Sequence, residues 1–315
     1  MVTSVVAPEY GGPEVLRVIE EALPDPGPGE VRILVRAAGL NPADAKRIRG
    51  SFGRGQEPPI RPGSEVSGIV TAVGEQASGP AGPIAVGDEV VAYRVAGGLA
   101  SEVNAPASSV LPKPDSLGWD EAAGLLLTGG TAYHLLEATG VSEVDTVLIH
   151  GASGSVGLLA AQLAVLRGAR VIGSASAPNH DLLRRFGVEP VVYGPGLIDR
   201  INAMAPAGID VALDTVGTDE AIDVSAALVA DRGRIATIAA FQRAAEIGGI
   251  RILGGGPGAD PGTDLRNAAR VELLRLAGEG RLVVVLGPSF PLAAAAQAFA
   301  LVESGHAGGK IVLHP

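Results

Sequence analysis

The chain of 315 residues contains no cysteine. That absence removes a disulfide framework, a thiolate nucleophile and a Cys-ligated zinc site together. Aromatic residues are 3% of the chain against 47% hydrophobic, so its cores have to be built from Val, Leu, Ile and Ala. Basic residues are outnumbered, 24 Lys and Arg to 34 Asp and Glu, for a formal net charge of −10. A nucleic-acid or anionic-membrane partner is therefore not expected, although a local basic pocket for a phosphate is allowed. No apolar run is long enough to span a bilayer. The start, Met1-Val2-Thr3-Ser4-Val5-Val6, lacks the basic and apolar regions of a signal peptide. A soluble, cytoplasmic protein is expected.

Glycine is abundant, with 45 residues, and proline supplies 23. Because apolar segments recur throughout, these mark tight turns and not disorder. The length suggests two domains. Val147-Leu148-Ile149-His150 runs into the turn Gly151-Ala152-Ser153-Gly154-Ser155-Val156-Gly157, and Leu158 to Ala164 follows with helical spacing. A buried strand, a tight turn and a helix N-terminus expose backbone N–H groups where a pyrophosphate can sit. Gly154 would let the phosphate approach and Gly157 would let the helix pack close on the strand. The G-x-G-x-x-G frame has Ala152 at its first position, so the match is A-x-G-x-x-G. Gly168 to Gly173 reads as a second strand, which completes a βαβ unit. The alternative is a glycine-rich turn that holds no ligand.

Residues 1 to about 117 carry the alternation and turn signals of many short strands. Val31–Ala37, Pro62–Val70, Val86–Tyr93 and Val110–Pro114 are the clearest, and Asn41-Pro42-Ala43-Asp44 reads as a helix start capped by Asn41. Trp119 to Leu127 is helix-prone, and a second helix follows from Gly129. Strands at Asp210–Asp214 and Arg234–Ala239, with helices between, predict a doubly wound parallel sheet over about 145–255. Gly254 to Gly262 is a loop. Residues 264–279 read as a helix, Val283–Leu286 as a strand, Pro291–Ser304 as a helix and Lys310–Leu313 as a last strand.

Taken in order, several motifs resemble the medium-chain dehydrogenase/reductase superfamily and, within it, the zinc-free quinone oxidoreductase branch. They are Gly39-Leu40-Asn41-Pro42-Ala43-Asp44, Pro62 to Gly68, Gly87-Asp88-Glu89-Val90, Thr131-Ala132-Tyr133, the Gly151 to Gly157 turn, Asp214-Thr215-Val216-Gly217, Phe290-Pro291-Leu292 and Gly309 to Leu313. The resemblance runs nearly end to end. It implies an α/β architecture: a GroES-like β-rich catalytic domain over 1–117, a Rossmann NADP-binding domain over 118–256, and a return to the catalytic domain over 257–315. It also implies nicotinamide and substrate in a cleft between domains, and a homodimer joined through the Rossmann sheet edge, here Ile250 to Leu253.

An NAD site wants an acid at the end of the second strand for the ribose 2′-OH. Here Ile172 to His180 contains none before Asp181, while Ser174 and Ser176 can donate to a 2′-phosphate and His180 and Arg184 can add positive charge. Relatives that bind NADPH commonly carry lysine at the position of His180 and tyrosine at that of Tyr193. NADPH is thus the expected cofactor, held by Ala152, Ser153, Gly154, Ser155, Val156, Ser174, Ser176, His180 and Tyr193, with Val216 and Phe241 at the strand ends. Histidine in place of lysine makes that charge pH-dependent. Turn chemistry for the serines, strand capping for Tyr193 and ordinary packing for Phe241 are the alternatives.

The superfamily's alcohol dehydrogenases hold catalytic zinc mainly with Cys and His of the first domain. This chain has no Cys, and its five His are His134, His150, His180, His306 and His314. The expectation is metal-free hydride transfer to an electron-poor acceptor, a quinone or an α,β-unsaturated carbonyl. Asn41 (nicotinamide amide or substrate), Tyr93 (donor to a carbonyl) and Thr131 (near the cofactor) are the catalytic candidates. A helix N-cap for Asn41 and Thr131, and a core or interface role for Tyr93, are their alternatives. Asp44, Lys46 and Arg49 lie on the Asn41 segment. Lys310 is assigned a structural role, and Gly254-Gly255-Gly256 is a candidate to wrap the cofactor. Three other readings compete. One is an enoyl-thioester reductase, for which Arg47, Arg49 and Arg54 would supply a phosphate-binding patch. Another is a non-catalytic NADPH-binding or sensory protein. A short-chain reductase fails because the turn follows a whole domain and no Tyr-x-x-x-Lys comes after it.

Overall fold

The computed structural model describes residues 1–51, 57–256 and 258–315. Two compact units emerge, Met1–Leu127 with Val271–Pro315, and Thr128–Arg270. The first lies around a seven-stranded sheet. Its central strand, Glu30–Gly39, buries Val31, Ile33 and Val35 on alternate positions, as the period of two requires. It pairs antiparallel with Glu65–Val73 on one side and with Lys310–His314 and Glu102–Pro106 on the other. Glu89–Tyr93 and Val110–Pro112 extend the sheet beyond Glu65–Val73. The last strand of the chain thus completes the sheet begun by the first hundred residues. Aliphatic side chains and Phe299 fill the core.

The second unit is a six-stranded parallel sheet. Along the chain its strands are Thr146–His150, Arg170–Ala175, Glu189–Val192, Val211–Asp214, Ile235–Thr237 and Arg251–Ile252. In space they run 3-2-1-4-5-6, the doubly wound order whose direction reverses beside the first strand. The loop after that first strand is the glycine-rich turn, so topology alone places it at the switch point.

Several sequence expectations are corrected. The strand expected at Val283–Leu286 is instead Leu286–Pro291, because the parallel pairing with Lys310–His314 begins only at Leu286. Pro291 therefore ends a strand, and the last helix begins only at Ala295, after a 3₁₀ turn at Leu292–Ala294. Leu126–Thr139 is one helix, so Gly129 and Gly130 lie inside it and not at its start. The third parallel strand, Glu189–Val192, gives no clear sequence signal. It is four residues long and contains Pro190, which an edge strand tolerates. Trp119 to Leu127 packs with the first unit: Ser67 Oγ donates to the Trp119 carbonyl at 2.7 Å and Leu127 N–H to Glu65 Oε2 at 2.9 Å. The first unit thus extends ten residues past the boundary expected at 117, and the second boundary falls at Arg270, within the helix Thr263–Gly278. No helix among the described residues is long and apolar enough to cross a membrane.

Candidate functional site

The site is built on the turn after Thr146–His150. Gly151 takes φ +71°, a conformation that favours glycine. The helix Ser155–Leu166 then starts, with Gly154 as N-cap. A Cβ on Gly157 would lie 2.3 Å from the Gly151 carbonyl oxygen, so only glycine lets helix and strand approach this closely. Gly154 is exposed, and the one atom near a Cβ there would be the Gly151 oxygen at 3.3 Å. Above it the N–H groups that open the helix face outward, free of intrahelical partners. Ala152 stands where the fingerprint has glycine. It is fully buried, and its methyl is accommodated by Gly173 on the neighbouring strand, where a Cβ would come within 2.7 Å. The departure in the string is thus matched by a glycine on the second strand.

The end of the second strand carries no carboxylate. Ser176 is half-buried, and its hydroxyl accepts from Asn179 Nδ2 at 3.1 Å. The same nitrogen donates to Ser153 Oγ at 3.2 Å. His180 Nε2 lies 3.3 Å from the Ala175 carbonyl, which can only accept, so this nitrogen carries the hydrogen. Arg184 is drawn to Asp181 at 2.7 Å, and Tyr193 is 57% exposed. Ser174 differs from expectation: it is buried, and its Oγ meets His150 Nδ1 at 3.2 Å, beneath the turn. Register explains this, because His150 and Ser174 are direct partners on adjacent parallel strands. Burial pushes the His150 imidazole down to about 4, and its Nε2 has no partner. Asn179 is the residue sequence reasoning missed. An Asn three positions after a serine at a strand end is the signal that could have found it.

At the carboxyl ends of the fourth and fifth strands a buried network fixes the loops. Asp214 Oδ1 accepts from Val216 and Gly217 N–H at 3.0 and 2.9 Å, and Thr237 Oγ1 donates to its Oδ2 at 2.6 Å. Burial raises the Asp214 carboxyl above the usual range, and these hydrogen bonds oppose the rise. Val216 is thereby held at the rim, 50% exposed. Phe241 is half-buried and lies against Gly256, so tightly that a Cβ there would overlap its ring. The Gly254–Gly256 segment is thus a bed for that ring. The edge strand is two residues long. Its outer side is partly occupied by the chain itself, since Asp260 N–H donates to the Ile252 carbonyl and Gly254 N–H to the Asp260 carbonyl, at 2.9 and 2.8 Å. Thr131 lies inside its helix and not at an N-cap, buried, with Oγ1 3.2 Å from Arg266. His134 sits between Arg266 on Nδ1 and Asp260 on Nε2, and burial followed by Arg266 lowers its pKa.

In the first unit, Asn41 caps the helix Pro42–Ile48, as its place before Pro42 predicts. Its side chain is engaged at both ends: Nδ2 donates to Glu65 Oε1 at 2.9 Å, and Lys310 Nζ donates to Oδ1 at 2.5 Å. Lys310 also meets Glu65 at 2.7 Å, and all three residues are buried. Asp44 is fully buried, accepts from the N–H groups of Asn41 and Gly63, and is raised by desolvation, against the pull of Arg47. Tyr93 ends its strand nearly buried, with the Arg94 guanidinium 5.7 Å from its ring centroid. Lys46 is exposed. Of the three arginines that would form a phosphate patch, Arg47 faces Asp44 at 3.6 Å and Arg49 is paired with Glu303 at 2.5 Å. Arg54 lies outside the described residues.

Two family models match the chain: the alcohol dehydrogenase GroES-like domain over residues 27–115, and one described as a zinc-binding dehydrogenase over 186–313. A zinc site does not fit these residues. The chain has no cysteine, and among the described residues no three His, Asp or Glu side chains converge as ligands. The rat synaptic vesicle membrane protein VAT-1 homolog is 37% identical over 62% of this chain, which spans only 48% of that protein's length. Mouse quinone oxidoreductase is 30% identical over 97% of this chain and 95% of its own. A mycobacterial protein solved in complex with NADPH superposes with a TM-score of 0.86 at 31% identity, over the whole of both chains.

Proposed function

The chain belongs to the medium-chain dehydrogenase/reductase superfamily, in its quinone oxidoreductase branch, and from that premise we propose an NADPH-dependent reductase acting without a metal on a quinone or an α,β-unsaturated carbonyl. The observation that carries the coenzyme assignment is the end of the second strand, where Ser176, Asn179 and His180 stand and no acid does. An acid there would favour the 2′-OH of NADH and repel a 2′-phosphate. The amides of Ser155 and Val156 take the pyrophosphate, Gly154, whose own N–H is bonded to the Gly151 carbonyl, lets it approach, and Ala152 and Ser153 shape the turn. Ser176, His180 and Tyr193 surround the 2′-phosphate, and Ser174 supports them from beneath through His150. Val216 and Phe241 border the nicotinamide end. When bound, NADPH supplies the hydride.

The Tyr93 hydroxyl donates to the acceptor oxygen as negative charge develops there. Asn41 and Thr131, whose side chains are already engaged, hold the framework on which the site rests. With no cysteine in the chain and no metal ligand set among the described residues, the acceptor is taken to be electron-poor by itself, a conjugated carbonyl or a quinone. A homodimer joined at the Rossmann sheet edge around Ile250 to Leu253 completes the reading; Asp260 already takes the Ile252 carbonyl and the Gly254 N–H, so the partner meets the edge outside those two groups. Titration followed by reduced-nicotinamide fluorescence tests the coenzyme assignment. NADPH binding at least tenfold tighter than NADH is expected, an energy of about 1.4 kcal/mol. Tighter NADH would contradict it. The mass in solution tests the dimer.

A further inference from the structure

Asn179 closes the 3₁₀ turn Ala177–Asn179 that follows the second strand. Its Nδ2 reaches both Ser153 Oγ, at 3.2 Å, and Ser176 Oγ, at 3.1 Å. An amide nitrogen only donates, so both serine oxygens act as acceptors towards it. The proton of each hydroxyl is then turned away from Asn179, towards whatever acceptor lies outside. Ser153 belongs to the glycine-rich turn and Ser176 to the end of the second strand, the two segments that bracket the ribose of a dinucleotide in this topology. The first acid after the strand, Asp181, is committed to Arg184.

We propose that Asn179 is the positioning residue that sets dinucleotide choice, because it presents the Ser153 and Ser176 hydroxyls as paired donors to a ribose 2′-phosphate. This rests on the reading that the site takes NADPH. A carboxylate at this position would accept from both serines, reverse both hydroxyls and place a negative charge beside the phosphate. It could also accept from the 2′-OH of NADH.

The test is a set of fluorescence titrations of wild type, N179D and N179A with NADPH and NADH. Wild type is expected to prefer NADPH. In N179D the NADPH Kd should rise about 30-fold or more, while the NADH Kd stays level or falls. N179A, which loses the orientation without adding charge, should weaken NADPH several-fold and leave NADH unchanged. A substitution that merely damages the turn would weaken both nucleotides alike in both variants, and that result overturns the proposal. So does an unchanged NADPH-to-NADH ratio. Wild type that binds neither nucleotide would instead overturn the NADPH reading itself, and this inference with it. If N179D does not fold, N179A alone decides: an unchanged ratio there is equally fatal.

Discussion

Lys310 and Glu65 form an ion pair of 2.7 Å with both side chains sealed from water, although 245 residues separate them in the chain. Asn41 bridges the two, so the final strand, the Glu65 strand and the first helix meet at one buried polar knot. Removing one partner leaves an uncompensated buried charge, which typically costs about 3–5 kcal/mol. Lys310→Met should lower stability by that order in denaturant unfolding. A loss below about 1 kcal/mol would show that the pair does not hold the unit together.

The Gly157 contact gives a binding prediction. Gly157→Ala would place a methyl against the Gly151 carbonyl, a backbone atom that can move only by prising helix from strand. Overpacking of this kind costs about 1–3 kcal/mol. The NADPH Kd should rise roughly tenfold or more. An unchanged Kd would mean that the pyrophosphate does not sit on this turn.

His150 makes stability pH-dependent. Its ordinary value of 6.5 is depressed by burial to about 4, so between those values the unfolded chain binds more protons than the folded one. The stability it contributes is present above pH 6.5 and is lost as pH falls towards 4. The full span corresponds to roughly 3 kcal/mol. His150→Asn should flatten that part of the stability–pH curve relative to wild type, as read by urea midpoints at pH 7, 5.5 and 4.5. Parallel curves for the two proteins would contradict the assignment.

For the chemistry, Tyr93→Phe should lower kcat roughly 100-fold, the scale set by loss of one donor to a developing oxyanion. NADPH affinity should be unaffected. A loss confined to KM would make the Tyr93 hydroxyl a contact that binds substrate and transition state alike, and no change at all would make Tyr93 a packing residue.

The turn and its βαβ unit were legible in the sequence because their glycines and apolar runs are local signals. The parallel sheet followed from alternation of strand and helix. What was hidden is what register and long-range pairing create. Ser174 looked like a surface donor until its pairing with His150 turned it inward. Asn41 looked available until Lys310, from the other end of the chain, closed on its amide oxygen. Thr131 looked like a cap because Gly129 and Gly130 suggested a helix start, and burial overrode their low propensity. Asn179 was overlooked because its importance lies in two hydrogen bonds to serines, one of them 26 residues away.

The most direct measurement of the central claim is the 340 nm absorbance of NADPH mixed with the purified protein and either 9,10-phenanthrenequinone or a 2-alkenal. Protein-dependent loss of that band is expected with at least one acceptor, faster with NADPH than with NADH, and the faster acceptor assigns the substrate class. Tight NADPH binding with no loss of the band on either acceptor would contradict it and leave a nucleotide-binding protein without this reaction.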